Sequence, residues 1–438
     1  MAPFGNGSHL GTRVEARVSA HHPAGQLSIL NVVADLKKSR GKFFHEHRMP
    51  SDLNFWIYFF RHAGKPLPEN LLSRALEFKP EHSNCPQLSL TIKNLISSIP
   101  NEWRALANNV FVGRVMKGDL NAKAWTERQA GVIEINIQYS FTLTAYAAAY
   151  DEFFHNIKSF YGDISANRPE LDRMVDELNR RFSKPWNELD AAKAQWTDHR
   201  LVRTANPIAA LGAKGREALH EDMVDAAESF VIAHELAHHL LGHTVTKRDK
   251  RKAKIVVDET IERLKIFDSL VQLNQSQREE IQADILAYLI VAGATEGTPS
   301  FPDLYRAVAG STLALVALAH VEESWVELDS AATHPGFTTR FDIIHKLTEL
   351  LSVEQPAGDI GDHPLGFLAQ LSTFAGVALN TWTSRTFPEH QNPVGILEAT
   401  DHLLRLMDGV YSRIPNARQV VDEAVEPNPR VSSRGTDE

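Results

Sequence analysis

Val231-Ile-Ala-His234-Glu235-Leu-Ala-His238-His239-Leu-Leu-Gly242-His243 places a His-Glu-x-x-His pattern inside an apolar, helix-forming run. Residues four apart on a helix lie one above the other, so His234 and His238 can aim two imidazoles at one point. That arrangement suits zinc, a tetrahedral cation that takes nitrogen ligands. Glu235 falls on the flank of the same face. From there it reaches a metal-held water without binding the metal itself. Zinc pulls the pKa of such a water toward about 7, and a carboxylate can take its proton. The helical context is consistent: Met223, Val224, Ala227, Phe230, Val231 and Leu241 recur at helical spacing with the two histidines. Glu221 and Asp222 suit the start of the helix, and Gly242 suits its stop.

A second pattern lies downstream, in Glu279-Glu280-Ile-Gln-Ala-Asp284-Ile-Leu-Ala. Ser276 followed by Glu279 predicts a capping box and a helix beginning there. Glu280 and Asp284 again stand four apart on one face. Glu280 supplies a candidate third zinc ligand. Asp284 is placed to accept the spare ring N–H of a ligating histidine and so fix its tautomer. The plainer alternative is a solvated acidic face, which fits poorly with the Ile-Leu-Ala-Tyr-Leu-Ile-Val run that follows.

Together these residues resemble a gluzincin zinc metallopeptidase. The Glu-x-x-Ala-Asp form is most similar to M48-like peptidases. His334-Pro335-Gly-Phe-Thr-Thr-Arg340 resembles the His-Pro-(x)4-Arg element that follows the zinc site in that group. The same three-part pattern is similar to the Lit-type phage-exclusion peptidases. The similarity covers about residues 220 to 345. It implies Zn2+ as cofactor and a protein or peptide as substrate. A metzincin is excluded, because that motif needs glycine at position 241 and histidine at 244, where this chain has Leu241 and Thr244.

Within this reading His334 is either a catalytic donor to the oxyanion of a tetrahedral intermediate or part of a turn leading into a helix at Pro335. Arg340 holds the loop or pairs with a carboxylate near the site. His239 faces away from the His234/His238 side. His243, just past the helix, is either a supporting residue or unrelated to the site.

The chain has 438 residues, 43% hydrophobic and 23% charged, with a net charge of −9. That is an ordinary globular composition, long enough for two or three domains. The mild acidity argues against nucleic-acid binding. The single Cys85 excludes an intramolecular disulfide framework and fits a cytoplasmic location. Residues 1–25 lack the apolar segment of a secretory signal and are expected to be mobile. No stretch reaches the roughly 18 apolar residues of a membrane span. The nearest, Ala307 to Val321, is interrupted by Gly310, Ser311 and Thr312 and reads as a buried helix.

The fold class expected is α+β, mainly α: a zincin-like core with a small sheet and flanking helices. Residues 26–200 form a mixed region, 201–350 the metallopeptidase core, 351–422 a helical region and 423–438 a disordered tail. Asn54 to Phe60 is an aromatic strand or buried helix. Leu88 to Ile99 reads as a helix ended by Pro100. Gly131 to Tyr139 alternates and is β-branched, so it reads as a strand. It is either an edge able to pair with an extended substrate or an ordinary core strand. Helices follow over Thr142 to Phe160, Pro169 to Arg181 and Trp186 to Trp196. Lys247-Arg-Asp-Lys-Arg-Lys-Ala-Lys254 is either a patch for nucleic acid or an acidic protein or, as the absence of interleaved aromatics favours, a solvated loop and helix start; Ile255 to Leu273 reads as an amphipathic bridge. Leu365 to Leu379 and Gly395 to Tyr411 complete the helices.

The function read from these residues is a zinc endopeptidase that uses Glu235 as general base. The alternative is a non-catalytic zinc-binding sensor or adaptor that keeps the ligands. Glu235 discriminates between them, since a purely structural site has no need of it.

Overall fold

The computed structural model describes residues 83, 86–115, 121–127, 130–157, 217–244, 251–325, 334–352 and 364–386. The expectations for residues 1–25, 54–60, Cys85, 169–181, 186–196, 395–411 and 423–438 lie outside them. The described part is mainly helical with one three-stranded sheet, as the periodicity and the resemblance lead one to expect.

Helix α1 (Pro86–Ser98) and helix α2 (Asn101–Ala107) precede strand β1 (Val110–Val115). In α1, Leu88, Ile92, Leu95 and Ile96 recur on one face and are buried. Strands β2 (Ala122–Glu127) and β3 (Ala130–Asn136) form a hairpin. The sheet order is β1-β3-β2, with β1 parallel and β2 antiparallel to β3. The strand expected over 131–139 is therefore the centre of the sheet rather than an edge. Both of its sides are paired, and Val132 to Ile135 are buried on both faces. It also ends earlier, at Asn136. Tyr139, Leu143, Tyr146 and Tyr150 recur at helical spacing and are all buried, so the chain turns directly into helix α3 (Ile137–Ile157). That helix starts five residues before the expected Thr142. Strand β2 takes the edge position, and among the described residues no strand pairs with its outer side.

Helix α4 (Glu217–Leu241) is the centre of the molecule. α1, α2, α3, the sheet and three later helices pack around it, so residues 226 to 237 are buried on every side. Arg114 of β1 fastens the sheet to it through two hydrogen bonds to Glu228, 2.7 and 2.9 Å, and a third to Ser140.

Helix α5 (Arg251–Leu264) and the short α6 (Phe267–Val271) replace the single bridge expected over 255–273. The break falls at Lys265, whose φ of +55° is left-handed and cannot continue a helix. Helix α7 (Gln275–Val291) begins one residue before Ser276. Its capping box uses Asn274 and Gln277 in place of Ser276 and Glu279. The Asn274 side chain accepts from the Gln277 amide at 2.9 Å, and the Gln277 side chain accepts from the Asn274 amide at 3.1 Å.

Helix α8 (Phe301–Glu322) extends the apolar run read from sequence at both ends. By length and composition it could cross a membrane, but 83% of its apolar window is buried inside the molecule, as in a core helix. It crosses α4 closely at Gly310, where a Cβ would collide with the Ala226 carbonyl oxygen. Gly310 is thus a contact point and not an interruption. Helix α9 (Phe337–Ser352) packs on α7 and α8, and α10 (Pro364–Thr386) packs on α8 and α9.

Candidate active site

The last two turns of α4 carry His234, Glu235 and His238. The helix ends at Gly242 in a left-handed turn, with φ of +71°. The Gly242 amide donates to the His239 carbonyl at 3.2 Å and the His243 amide to the His238 carbonyl at 2.9 Å. These two bonds form a Schellman motif, which folds His243 back beside His238. Their Nδ1 atoms lie 2.9 Å apart.

Helix α7 brings Glu280 and Asp284 against this end of α4. His234 Nε2 lies 3.2 Å from His238 Nε2 and 3.2 Å from Glu280 Oε2. His238 Nε2 lies 3.4 Å from Glu280 Oε1. These three residues form a group that could hold a metal ion. The fit can be tested against zinc. With bonds of about 2.0–2.1 Å, tetrahedral ligands sit about 3.3 Å from each other. The two Nε2 atoms are separated by about that edge, and each lies near it from one of the two Glu280 carboxylate oxygens. Two imidazole nitrogens that face each other with lone pairs at such a distance repel unless a proton or a cation lies between them.

Asp284 stands behind His234 and is fully buried. Its Oδ1 lies 2.9 Å from His234 Nδ1. Arg340, from the first turn of α9, donates to the same carboxylate through Nε and Nη2, each at 2.7 Å. Burial opposes the charge on Asp284, but the Arg340 guanidinium and the His234 ring hold its pKa below the usual range.

The metal-free electrostatics follow from the same contacts. Burial disfavours a charged His234, yet the hydrogen bonds it donates to Asp284 and Glu280 outweigh that and raise its pKa to about 10. Glu280 is largely withdrawn from solvent, but His234 and His238 pull its carboxyl far below the usual range. His238 has no carboxylate on Nδ1, and burial lowers its pKa to about 3. Glu235 is pushed up to about 7 by burial, with the Glu280 charge adding to the shift. His234, Arg340 and the backbone amide of Ala124 act the other way. Edge strand β2 thus holds the Glu235 carboxylate.

His234 and Glu235 line a cavity of about 30 Å³ with Asn121, Tyr139, Leu318 and His334. That volume holds a water and no substrate side chain of any size. The Tyr139 hydroxyl donates to the Ala314 carbonyl at 2.8 Å. His334, expected as a catalytic residue, reaches this cavity. Its Nε2 lies 3.6 Å from Glu280 Oε2 and its Nδ1 lies 3.9 Å from Glu322 Oε2. Pro335 stands two residues ahead of α9 and not in its first turn.

His239 lies on the opposite side of α4. Its Nε2 donates to the Val132 carbonyl at 3.3 Å, and its Nδ1 lies 2.9 Å from the Thr244 hydroxyl. The bare Gly131 makes room for this ring, since a Cβ there would come within 2.8 Å of it. Glu322 and Asn121 were not legible as site residues from sequence. Asn121 donates to Glu322 Oε1 at 2.6 Å, across 201 positions of chain.

Residues 138–356 match the model of the protein family described as Peptidase U49. The chain belongs to that family. No curated protein and no solved structure matches it. The matched half of the chain begins in the first turn of α3 and ends just past α9. It includes His234, Glu235, His238, Glu280, Asp284, His334 and Arg340, and it leaves out the sheet whose Ala124 amide meets Glu235. Membership makes the chain a peptidase, and the substrate of a peptidase is protein.

Proposed function

We propose that the chain is a zinc-dependent endopeptidase of the gluzincin type. The observation that carries this reading is the cluster of His234, His238 and Glu280, in which the two Nε2 atoms lie 3.2 Å apart and each meets one Glu280 oxygen at 3.2 or 3.4 Å, beside a buried carboxylate that does not belong to it. Bound zinc would supply Lewis acidity, which polarises a carbonyl and makes water easier to deprotonate.

The protein's own groups do the rest. Glu235 removes a proton from the attacking water as the water oxygen bonds to the carbonyl carbon. It then hands that proton to the amide nitrogen while the C–N bond breaks. His334 donates to the oxyanion from the other wall of the cavity; loss of one such donor costs about 100- to 1,000-fold in rate. Asp284 keeps the His234 proton on Nδ1, which leaves the Nε2 lone pair for the metal. Arg340 keeps Asp284 ionised and in place. A non-catalytic zinc module would need the ligand cluster but not Glu235, and it would gain nothing from burying that carboxylate.

The test compares wild type with Glu235→Gln. Metal content is measured on both proteins, and new N-termini are mapped after incubation with candidate lysates. Both should carry about one zinc per chain, and only wild type should generate new termini. Equal cleavage by the variant would remove Glu235 from the chemistry, and a wild type without bound metal would remove zinc.

A further inference from the structure

We propose that His243 is a positioning residue that fixes the ring of His238 for metal binding. This rests on the zinc reading above. The two Nδ1 atoms are 2.9 Å apart, with ring centroids at 5.1 Å and planes at 67°. At that separation one nitrogen must donate its hydrogen to the lone pair of the other. His238 can offer Nε2 to a cation only if its own hydrogen is on Nδ1. His238 is then the donor, His243 Nδ1 the acceptor, and the His243 hydrogen sits on Nε2.

Each ligand histidine thus has its own Nδ1 partner: Asp284 for His234 and His243 for His238. The two partners arrive by different routes. Asp284 comes from another helix. His243 comes from the same chain five residues on, carried back by the Schellman turn at Gly242. A neutral imidazole orients the ring without adding a third negative charge to those of Asp284 and Glu280.

The experiment reads zinc affinity by competition with a chromophoric chelator, together with the melting midpoint of the metal-free protein. His243→Phe keeps a ring and removes the acceptor, and it should weaken zinc binding by about 10- to 100-fold. His243→Asn places a carbonyl oxygen near the lost Nδ1 and should bind zinc within about threefold of wild type. That pattern, with metal-free melting midpoints close to wild type, supports the proposal. Wild-type affinity in His243→Phe overturns it, as does an Asn variant as weak as the Phe variant. A wild type that takes up no zinc overturns the zinc reading, and this proposal with it.

Discussion

Asp284 and Arg340 are joined by two hydrogen bonds of 2.7 Å in a place that solvent does not reach. Removing one partner of a buried pair strands the other charge, at a cost of about 3–5 kcal/mol. Arg340→Ala should lower unfolding stability by about that amount in a denaturant titration. Arg340→Lys should recover little, because an ammonium cannot reproduce the two-pronged geometry. A loss under about 1 kcal/mol in Arg340→Ala would mean that His234 alone satisfies Asp284.

On the zinc reading proposed above, the ion must displace the proton from His234. In the metal-free site that proton is held with a pKa of about 10, because Asp284 and Glu280 outweigh the burial of the ring. Near neutral pH each zinc bound should therefore release at least one proton. Affinity should rise about tenfold per pH unit. Calorimetry in two buffers of different ionisation enthalpy counts the protons directly. An uptake heat that does not depend on buffer would contradict the arrangement of His234 between its two carboxylates.

How much of this was readable beforehand differs by residue. Two His and two carboxylates at i, i+4 spacing declare a helix face each, and that spacing, with Glu235 beside the first His and apolar helical runs around both pairs, selects His234, His238, Glu280 and Asp284. Arg340 was legible only as a cation near some carboxylate, since its partner depends on how α9 crosses α7. His243 depends on a turn type at Gly242 that sequence permits but does not require. Glu322 ends an apolar helix and reaches the site only through the packing of α8. The sheet order was hidden for a different reason. Ala-Lys-Ala-Trp-Thr-Glu in β2 has little β-branched character, whereas the alternation over 131–139 is the same for a central or an edge strand.

Gly310 lets the backbones of α8 and α4 touch, and its neighbour there is a carbonyl oxygen and not the end of a flexible side chain. The Cβ of Gly310→Ala has nowhere to go unless the helices part. Overpacking of this kind costs about 1–3 kcal/mol. The strain also falls two turns before His234 on the helix that carries both candidate ligand histidines. The variant should lose stability in denaturant and bind zinc more weakly than wild type. Unchanged values for both would show that α8 shifts freely on α4.

The metal-free protein should be most stable, as far as these buried groups decide it, in mildly acidic solution. Glu235 has a folded pKa raised from 4.5 to about 7, so its contribution is complete below about 4.5 and is lost as pH rises through 7. His234, raised from 6.5 to about 10, contributes fully below 6.5 and loses that contribution as pH rises through 10. His238 runs the other way. Lowered from 6.5 to about 3, it is stabilising above 6.5 and its contribution is lost as pH falls through 3. Between about 4.5 and 6.5 the Glu235 gain and the His238 loss on acidification offset each other. Above that window Glu235 and His234 both weaken the fold. Below it His238 is joined by Glu280 and Asp284, whose pKa values are lowered and whose contributions vanish on protonation. Melting midpoints of chelator-treated protein from pH 4 to 9 should therefore pass through a maximum on the acid side of neutrality. Zinc-loaded protein should not decline in step above pH 7, because deprotonation then favours the ligands. A metal-free midpoint that climbs steadily from pH 6 to 9 would contradict the burial of Glu235 and the pairing of His234 on which the site is built.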